Sequence, residues 1–186
     1  MQPTATAQQQ AAIDQPVAKG QIALLNAYAG TGKTTTLEMI ARAQPDLRFL
    51  YLCFNRDNAQ EAQQRFPTTC ECSTIHSKAY RAVGHSYDTL VPNLRPRIVM
   101  DAFNLRAPYL AVYVIDTLNA FLHSADESLA HRHLMIGPTT RQNEISRILN
   151  VARKLWARMQ DREDRDIPMT HDGYLKLWAQ SQPVMH

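Results

Sequence analysis

The chain has 186 residues and a mass of 21.1 kDa, and 45% of its residues are hydrophobic and 20% charged. This length and balance exclude a peptide, a disordered chain and a collagen-like polymer, and they indicate a globular protein of about one domain. The formal net charge of +3 permits a polyanionic partner without requiring one.

Short apolar runs alternate with amphipathic ones in the first part of the chain. The apolar runs predict strands at residues 21–26, 47–54 and 69–73, and the amphipathic ones predict helices at 32–43, 58–66 and 75–83. Strands that alternate with helices indicate a parallel sheet covered by helices, so the predicted fold class is α/β.

The strand pattern ends in a stretch, residues 84–108, that is interrupted by Pro92, Pro96 and Pro108. Beyond it, apolar residues recur at spacings of three and four over 111–122 and 145–159, which predicts two amphipathic helices. We therefore expect an all-helical subdomain at residues 87–166, between an N-terminal domain at 1–86 and a last segment at 167–186.

The strongest chemical pattern is AYAGTGKT at residues 27–34, between a predicted strand and a predicted helix. It fits a P-loop, although Ala27 occupies the place of the first glycine. Gly30 and Gly32 let backbone N–H groups turn towards phosphates, Lys33 supplies a cation, and the Thr34 hydroxyl is available to Mg²⁺. The pattern predicts a nucleoside triphosphate with Mg²⁺ as the ligand, Lys33 and Thr34 as catalytic residues and Thr34 as the metal ligand. The predicted cofactor contacts are Ala27, Tyr28, Ala29, Gly30, Thr31, Gly32, Lys33, Thr34 and Thr35.

Three further segments carry a resemblance to a known family. Residues 6–13 (TAQQQAAI) resemble the Q-motif of superfamily 1 DNA helicases of the UvrD/Rep/PcrA type, with Gln9 at the position that reads adenine. Residues 54–59 (FNRDNA) resemble motif Ia of that family, and residues 72–80 (CSTIHSKAY) resemble the motif that follows it. The resemblance implies a RecA-like P-loop NTPase core with an inserted helical subdomain, and single-stranded DNA contacts from Phe54, Asn55, Thr74 and His76.

Finer detail is similar to F-box-type DNA helicases and their bacterial relatives. The similarity lies in residues 50–55 (LYLCFN), 65–67 (RFP), 74–84 (TIHSKAYRAVG) and 168–178 (PMTHDGYLKLW), and the F-box itself is absent. One departure from UvrD-type enzymes is Thr35, which stands where those enzymes commonly have an arginine.

The resemblance also implies what this sequence lacks for turnover. In the family, an Asp-Glu motif after a strand serves Mg²⁺ and the attacking water, and a second lobe supplies arginines to the transition state. Neither is found in this sequence, so we expect ATP binding without complete catalysis, and completion by a C-terminal lobe or a second chain. The alternatives are a non-catalytic module that binds DNA or a partner, and a small P-loop kinase.

Other candidate sites are disfavoured by spacing. His123, His131 and His133 suggest a metal, but His131 and His133 do not share a helix face, so surface histidines are favoured. The basic residues of 141–165 are interleaved with acidic ones, which favours a solvated face over a DNA contact.

The remaining patterns concern compartment. Cys53, Cys70 and Cys72 lack zinc-site companions, which predicts reduced thiols in the cytoplasm. The N-terminal residues lack the pattern of a signal peptide, and the longest apolar run, residues 109–115, is far shorter than the ~20 residues of a membrane span. We therefore expect no membrane partner.

Overall fold

The computed structural model describes residues 4–15, 17–138 and 140–184. It divides into two compact units, Met1–Ile75 and His76–His186. This division falls before the predicted boundary at residue 86, and the last predicted segment lies in the second unit. The arrangement in three domains stays a prediction. Its bounds include residues 1–3, 16, 139, 185 and 186, which lie outside the described residues.

The first unit contains the predicted alternation of helices and strands. Its elements are α1 (Ala7–Ile13), α2 (Lys33–Ala43), β1 (Phe49–Cys53), α3 (Arg56–Arg65) and β2 (Cys70–Thr74). Strands β1 and β2 pair in parallel, with Phe49 opposite Cys70 and Cys53 opposite Thr74. A small core of Ala41, Ala62, Phe66 and Cys70 packs beneath them. The prediction of an α/β fold with a parallel sheet is confirmed.

The predicted strand at residues 21–26 is wrong. These residues form no strand, and Ile22 and Leu24 are 95% and 81% exposed. A buried strand needs neighbours that take up its backbone hydrogen bonds. Among the described residues, β1 and β2 pair only with each other, so the 21–26 segment has no strand beside it.

The second unit is mainly helical. Its elements are α4 (Ile75–Ala82), which begins at the boundary, then β3 (Leu90–Val91), α5 (Pro96–Phe103), α6 (Pro108–Leu122), α7 (Gln142–Gln160), β4 (Met169–Thr170) and α8 (His171–Gln180). Pro96 and Pro108 stand at the first positions of α5 and α6, where the missing N–H costs nothing.

The core of the second unit lies where α6 packs on α5 and α7. Its fully buried side chains include Val99, Val114, Leu118, Phe121, Ile148, Leu155 and Met159. The two predicted amphipathic helices are confirmed as α6 and α7. Strand β3 lies within residues 87–166, so the prediction that this segment is all-helical is wrong. Its parallel pairing with β4 was not predicted, because two-residue strands carry no periodic pattern.

Within the described residues, no single helix has the length and apolar composition of a membrane span, and α5 and α6 reach it only when taken together across a 106° bend.

Candidate nucleotide-binding site

The loop before α2 has the backbone shape that its glycines allow. Gly30 and Gly32 adopt φ angles of +77° and +84°, in the left-handed region that side chains with a Cβ rarely adopt. The loop is closed by a hydrogen bond from the Thr31 hydroxyl to the Tyr28 carbonyl at 2.8 Å. Helix α2 begins at Lys33 without a side-chain cap, so its first N–H groups are available to an anion.

Lys33 folds back over this loop. Its Nζ donates to the carbonyl oxygens of Ala27 at 3.1 Å and Tyr28 at 2.8 Å. The ammonium therefore already lies against the loop, where it would meet a bound phosphate with a small change of side-chain rotamer. The cation and the uncapped helix end supply the two features that phosphate binding requires.

Helix α1 brings Gln9 to the start of α2. The Gln9 Nε2 donates to the Thr36 hydroxyl at 3.1 Å, and the Oε1 accepts the Thr6 N–H at 2.9 Å. Thr36 in turn donates to the Gly32 carbonyl at 3.0 Å. A primary amide has two donor hydrogens and two acceptor lone pairs, so each end of the Gln9 amide keeps capacity for an adenine edge.

A cavity of about 410 Å³ lies between α1 and the loop. Polar groups on its wall include the side chains of Gln9, Lys33 and Thr36, and Leu25 and Leu37 add apolar surface. A volume of this order suits a small-molecule ligand, and the mixture of one cation, polar groups and apolar surface suits a nucleotide. Of the predicted contacts, Gln9, Ala27, Thr31 and Lys33 line this cavity.

Thr34 and Thr35 are not among the residues that line this cavity. Thr34 lines a separate cavity of about 140 Å³ with Tyr51, Asn58, Glu61 and Arg65. The Thr35 hydroxyl accepts from Arg65 Nη2 at 3.1 Å, and the same guanidinium pairs with Glu38 at 3.1 Å. Thr35 therefore contributes to the packing of α2 on α3, and its predicted nucleotide contact stays a prediction.

The residues present are compatible with Mg²⁺ in the form that it takes with nucleotides. No group of three or more His, Cys, Asp or Glu side chains that could hold a metal ion is found in the described part of the chain. Mg²⁺ commonly takes only one or two protein ligands and completes its shell with phosphate oxygens and water. A single hydroxyl is therefore sufficient as the protein ligand if the triphosphate supplies the rest, and because Thr34 lines the separate cavity of about 140 Å³, its role as that ligand stays a prediction.

The predicted DNA contacts of the first unit differ in availability. Phe54 follows β1 and is 97% exposed, so its ring is free to stack on a base. Asn55 is the N-cap of α3, and its Oδ1 accepts the Asn58 N–H at 2.8 Å. Thr74, the last residue of β2, is buried. Asn55 keeps its amide hydrogens for a ligand, whereas Thr74 offers little surface.

His76 lies at the start of the second unit, in the first turn of α4. Its Nε2 is 3.1 Å from Asp172 Oδ1, and its ring contacts Tyr174 edge to face. The side chain is partly exposed. Asp172 was not predicted as its partner, because the two residues are 96 positions apart along the chain.

The histidines considered as a metal site have separate environments. His133 is buried, so the prediction of a surface histidine is wrong for this residue. Polar partners make its burial possible, because its Nδ1 accepts the Ala130 N–H at 3.0 Å and its Nε2 lies 2.7 Å from an Asp126 oxygen. His131 is exposed, as predicted. His123 lies at the end of α6 and contacts Asp172 instead.

The thiols are poor nucleophiles. Burial, together with the neighbouring Cys70, raises the pKa of Cys72 to about 12, and burial also raises the pKa of Cys70. Both thiols therefore stay protonated at neutral pH.

Two residues of the site were missed by sequence reasoning. The Thr36 hydroxyl accepts a hydrogen bond from Gln9 and so connects α1 to the start of α2, and the Arg65 guanidinium donates to the Thr35 hydroxyl. A helical reading places Thr36 one turn beyond Gly32, so its contact with the loop carbonyl was accessible to prediction. The Arg65 contact depends on how α3 packs on α2, which no local pattern encodes.

Comparison with known proteins supports this assignment. The family model described as "AAA domain" matches residues 4–131. F-box DNA helicase protein 1 of Schizosaccharomyces pombe is 28% identical over 197 aligned residues, which cover 92% of this chain and 22% of that protein. F-box DNA helicase 1 of Gallus gallus is 30% identical over 199 residues, which cover 97% of this chain and 20% of that protein.

The chain thus spans about a fifth of the length of these relatives. No solved structure matches it. The resemblance to superfamily 1 DNA helicases of the F-box type, first indicated by the Q-motif, the P-loop and the two motifs after it, is confirmed by these relatives. The chain belongs to the AAA domain family, and within it resembles the F-box DNA helicases.

Proposed function

We propose that this chain is the ATP-binding region of a DNA helicase, which binds ATP with Mg²⁺ and single-stranded DNA. The observation that carries the proposal is the 3.1 Å hydrogen bond between Gln9 and Thr36, which brings the Q-motif helix to the P-loop helix across 27 residues. The Gln9 amide also closes a capping box with Thr6 at the start of α1, and it still keeps a donor hydrogen and an acceptor lone pair, which an adenine edge can pair with.

The geometry of the first unit supports the following roles. The Lys33 ammonium leaves the Ala27 and Tyr28 carbonyls for the β- and γ-phosphates, and the uncapped N–H groups of α2 bind the same anion. The Gln9 amide reads the adenine edge, and the Thr34 hydroxyl takes Mg²⁺. We further propose that β1 and β2 belong to a RecA-like sheet, that residues 87–166 form an inserted subdomain, and that the protein acts in the cytoplasm, where its free thiols stay reduced.

We propose binding without efficient turnover by this chain alone. In the described residues, no Asp-Glu pair directly follows any of the four strands. Without such a carboxylate and an arginine donated to the transition state, positioning of Mg²⁺ and water is incomplete. Groups from another lobe or another chain would complete the ATPase.

The test of ATP binding is a titration with a fluorescent ATP analogue and Mg²⁺. Lys33→Ala should abolish saturable binding, and Lys19→Ala, which removes an exposed lysine from the same unit, should not change it. Equal affinity of the two variants would refute the P-loop assignment.

The test of adenine recognition uses two adjacent glutamines. Gln9→Ala should reduce the preference for ATP over GTP, because it removes the amide that lines the cavity. Gln10→Ala should leave that preference unchanged, because the Gln10 amide is bonded to Asp14. An unchanged preference in Gln9→Ala would remove Gln9 from the site.

The test of DNA binding is a titration with a labelled single-stranded oligonucleotide. Phe54→Ala should weaken binding by roughly 1–3 kcal/mol if a base stacks on the ring. Leu47→Ala, which removes another exposed apolar side chain of the first unit, is the control. Equal curves for Phe54→Ala and the unchanged chain would contradict the stacking role.

A second candidate is a non-catalytic module that contacts DNA or a partner lobe without any ATP turnover. The lack of an Asp-Glu pair after the described strands favours it. DNA-stimulated ATP hydrolysis by the purified chain would exclude this candidate, and Lys33→Ala is the control for a contaminating ATPase.

A further inference from the structure

Three helices of the second unit converge on one carboxylate. The Oδ1 of Asp172, on α8, is 3.1 Å from the Nε2 of His76, on α4, and its Oδ2 is 3.0 Å from the Nε2 of His123, at the end of α6. The two histidines are 96 and 49 residues from Asp172 along the chain. We call these three residues the imidazole pair and its carboxylate.

Asp172 is fixed in its own helix. It stands in the first turn of α8, which is capped by the Thr170 hydroxyl on the Gly173 N–H at 3.0 Å, and an anion is favoured there. Burial would raise the pKa of Asp172, but the hydrogen bonds from His123 and His76 outweigh it and hold the pKa below its ordinary value. The carboxylate is therefore ionised at neutral pH and accepts from both rings.

An ionised carboxylate fixes which ring nitrogen carries the proton. It can only accept, so each ring donates from Nε2 and presents Nδ1 to other partners. A protonated ring in this orientation donates from Nδ1 as well, and a phosphate oxygen is the natural acceptor for such a charged donor.

Both rings are reachable by a ligand. The His76 and His123 side chains are 41% and 64% exposed. Edge contact with Tyr174, at 6.4 Å between ring centres, restrains the His76 ring. His123 and Asp172 also line an open cavity of about 960 Å³, which leaves room for a chain of nucleotides.

The charged groups around the pair are of both signs. On α8, the Lys176 ammonium is already bonded to the Ser124 carbonyl at 2.8 Å, and burial lowers its pKa. Glu127 lines the same cavity from the loop after α6, and His171 and Tyr174 lie beside Asp172 on α8. Lys78 and Arg81, on α4 with His76, add positive charge to that helix.

We propose that Asp172 is a positioning residue that holds His76 and His123 together as a paired contact for one phosphodiester of single-stranded DNA. This inference rests on the proposed function and adds His123 and Asp172 to it. Asp172 lies in α8, within residues 167–186, a segment for which the sequence predicted no binding residue.

The experiment measures the affinity of the full chain for a labelled oligo-dT between about pH 5.5 and 8, the range in which histidines change charge. In the unchanged chain, affinity should rise as the pH falls. His76→Gln and His123→Gln should each weaken binding about three- to tenfold at the acidic end. Asp172→Asn should weaken it at least as much and flatten the pH profile.

The matched control is Asp101→Asn. It removes the same charge from an exposed pair with Arg97 on α5, so binding and its pH profile should stay unchanged. Nitrogen-15 NMR supplies a readout that does not depend on DNA: both rings should show the Nε2–H form in the unchanged chain, and Asp172→Asn should lose it.

The outcomes separate this inference from the proposed function. If the unchanged chain binds no oligonucleotide, DNA binding and the inference are both overturned, while the ATP titration still stands. If it binds and Asp172→Asn binds equally well with the same pH profile, only the inference is overturned. If Asp172→Asn does not fold, His123→Gln decides: weakened binding supports the paired contact, and unchanged binding overturns it.

Discussion

The two compact units differ in how many large apolar side chains they bury. The first unit has a small core of Ala41, Ala62, Phe66 and Cys70, while Ile22, Leu24, Tyr28 and Phe54 are exposed. The second unit buries large side chains completely, among them Leu118, Phe121, Ile148, Leu155 and Met159.

This difference has a functional consequence. The first unit carries the P-loop and Gln9, but it buries little apolar surface, which is the main source of folding free energy. The second unit has the larger core and carries the imidazole pair and its carboxylate. We therefore expect nucleotide, which binds the first unit in this proposal, to change the stability of that unit and to leave the second unit unchanged.

The largest expected effect comes from one residue type in the two environments. Phe121 is 0% exposed and contacts His133 and Trp156 edge to face, so Phe121→Ala should lower the free energy of unfolding by about 3–5 kcal/mol. Phe54 is 97% exposed, so Phe54→Ala should change the free energy of unfolding by less than about 0.5 kcal/mol.

Urea unfolding followed by tryptophan fluorescence measures the first of these changes directly. Trp156 and Trp178, the two tryptophans of the chain, both lie in the second unit. Equal midpoints for Phe121→Ala and the unchanged chain would mean that the core of the second unit does not hold it together.

The second effect is stabilisation by nucleotide. At a concentration one hundred times its Kd, ATP should stabilise the unit that binds it by about 2.7 kcal/mol. Hydrogen exchange should slow in α1 and α2 and stay unchanged in α6 and α7. Lys33→Ala should remove the effect and Lys19→Ala should keep it, and slower exchange confined to α6 and α7 would place the nucleotide in the wrong unit.

The same contrast explains what the sequence could predict. Helices α2, α6 and α7 have strong 3.6-residue periodicity or clear end signals, so local pattern was sufficient for them. The P-loop was predictable because its glycines, lysine and threonine are adjacent and each has a chemical reason.

Other features depend on partners that are distant in the sequence. The apolar run at 21–26 has the composition of a buried strand, but composition does not supply a neighbouring strand. The contacts of Asp172 with His76 and His123, and of Arg65 with Thr35, depend on how α8 and α3 pack on neighbouring helices. Long-range pairs of polar residues leave no periodic signal, and the sequence alone did not reveal them.

The third effect tests an ion pair within the second unit. Arg158 binds Asp164 through two hydrogen bonds, of 2.6 and 3.1 Å, and the Asp164 side chain is 10% exposed. Asp164→Asn should cost about 1–3 kcal/mol, because it weakens charge-assisted bonds in a partly buried site. Asp101→Asn, in an exposed pair, should cost almost nothing.

The pH dependence of this effect has a definite sign. The hydrogen bond from Arg158 lowers the pKa of Asp164 from its ordinary value of 3.8, against the opposing effect of burial. The pair therefore contributes its full stability above that ordinary value, and loses it as the pH falls through the lower pKa of the folded state. The difference between the unchanged chain and Asp164→Asn should shrink below about pH 4; a constant difference down to pH 2 would contradict the assignment.

The smallest expected effect concerns the loop before α2 in the first unit, and it tests whether this loop has its shape before ATP binds. Gly30 has a φ of +77° and open space around the position of a Cβ, so Gly30→Ala should cost about 1–2 kcal/mol from backbone strain alone. Gly30→Asn should recover part of this cost, because asparagine tolerates the left-handed region better.

The cost of Gly30→Ala can appear either in the stability of the free unit or in the affinity for ATP, and which of the two changes shows when the loop forms. If the loop is formed before ATP binds, the cost lowers the stability of the free unit, and hydrogen exchange in α2 becomes faster. If ATP imposes the shape, the free unit is unchanged and the affinity for ATP falls about 5- to 30-fold. We expect the first result, because the Thr31 hydroxyl and the Lys33 ammonium already hold the Tyr28 carbonyl without a ligand. A loss confined to affinity would mean that these two bonds are too weak to hold the loop, and that the small core of the first unit leaves its binding loop to be ordered by the nucleotide.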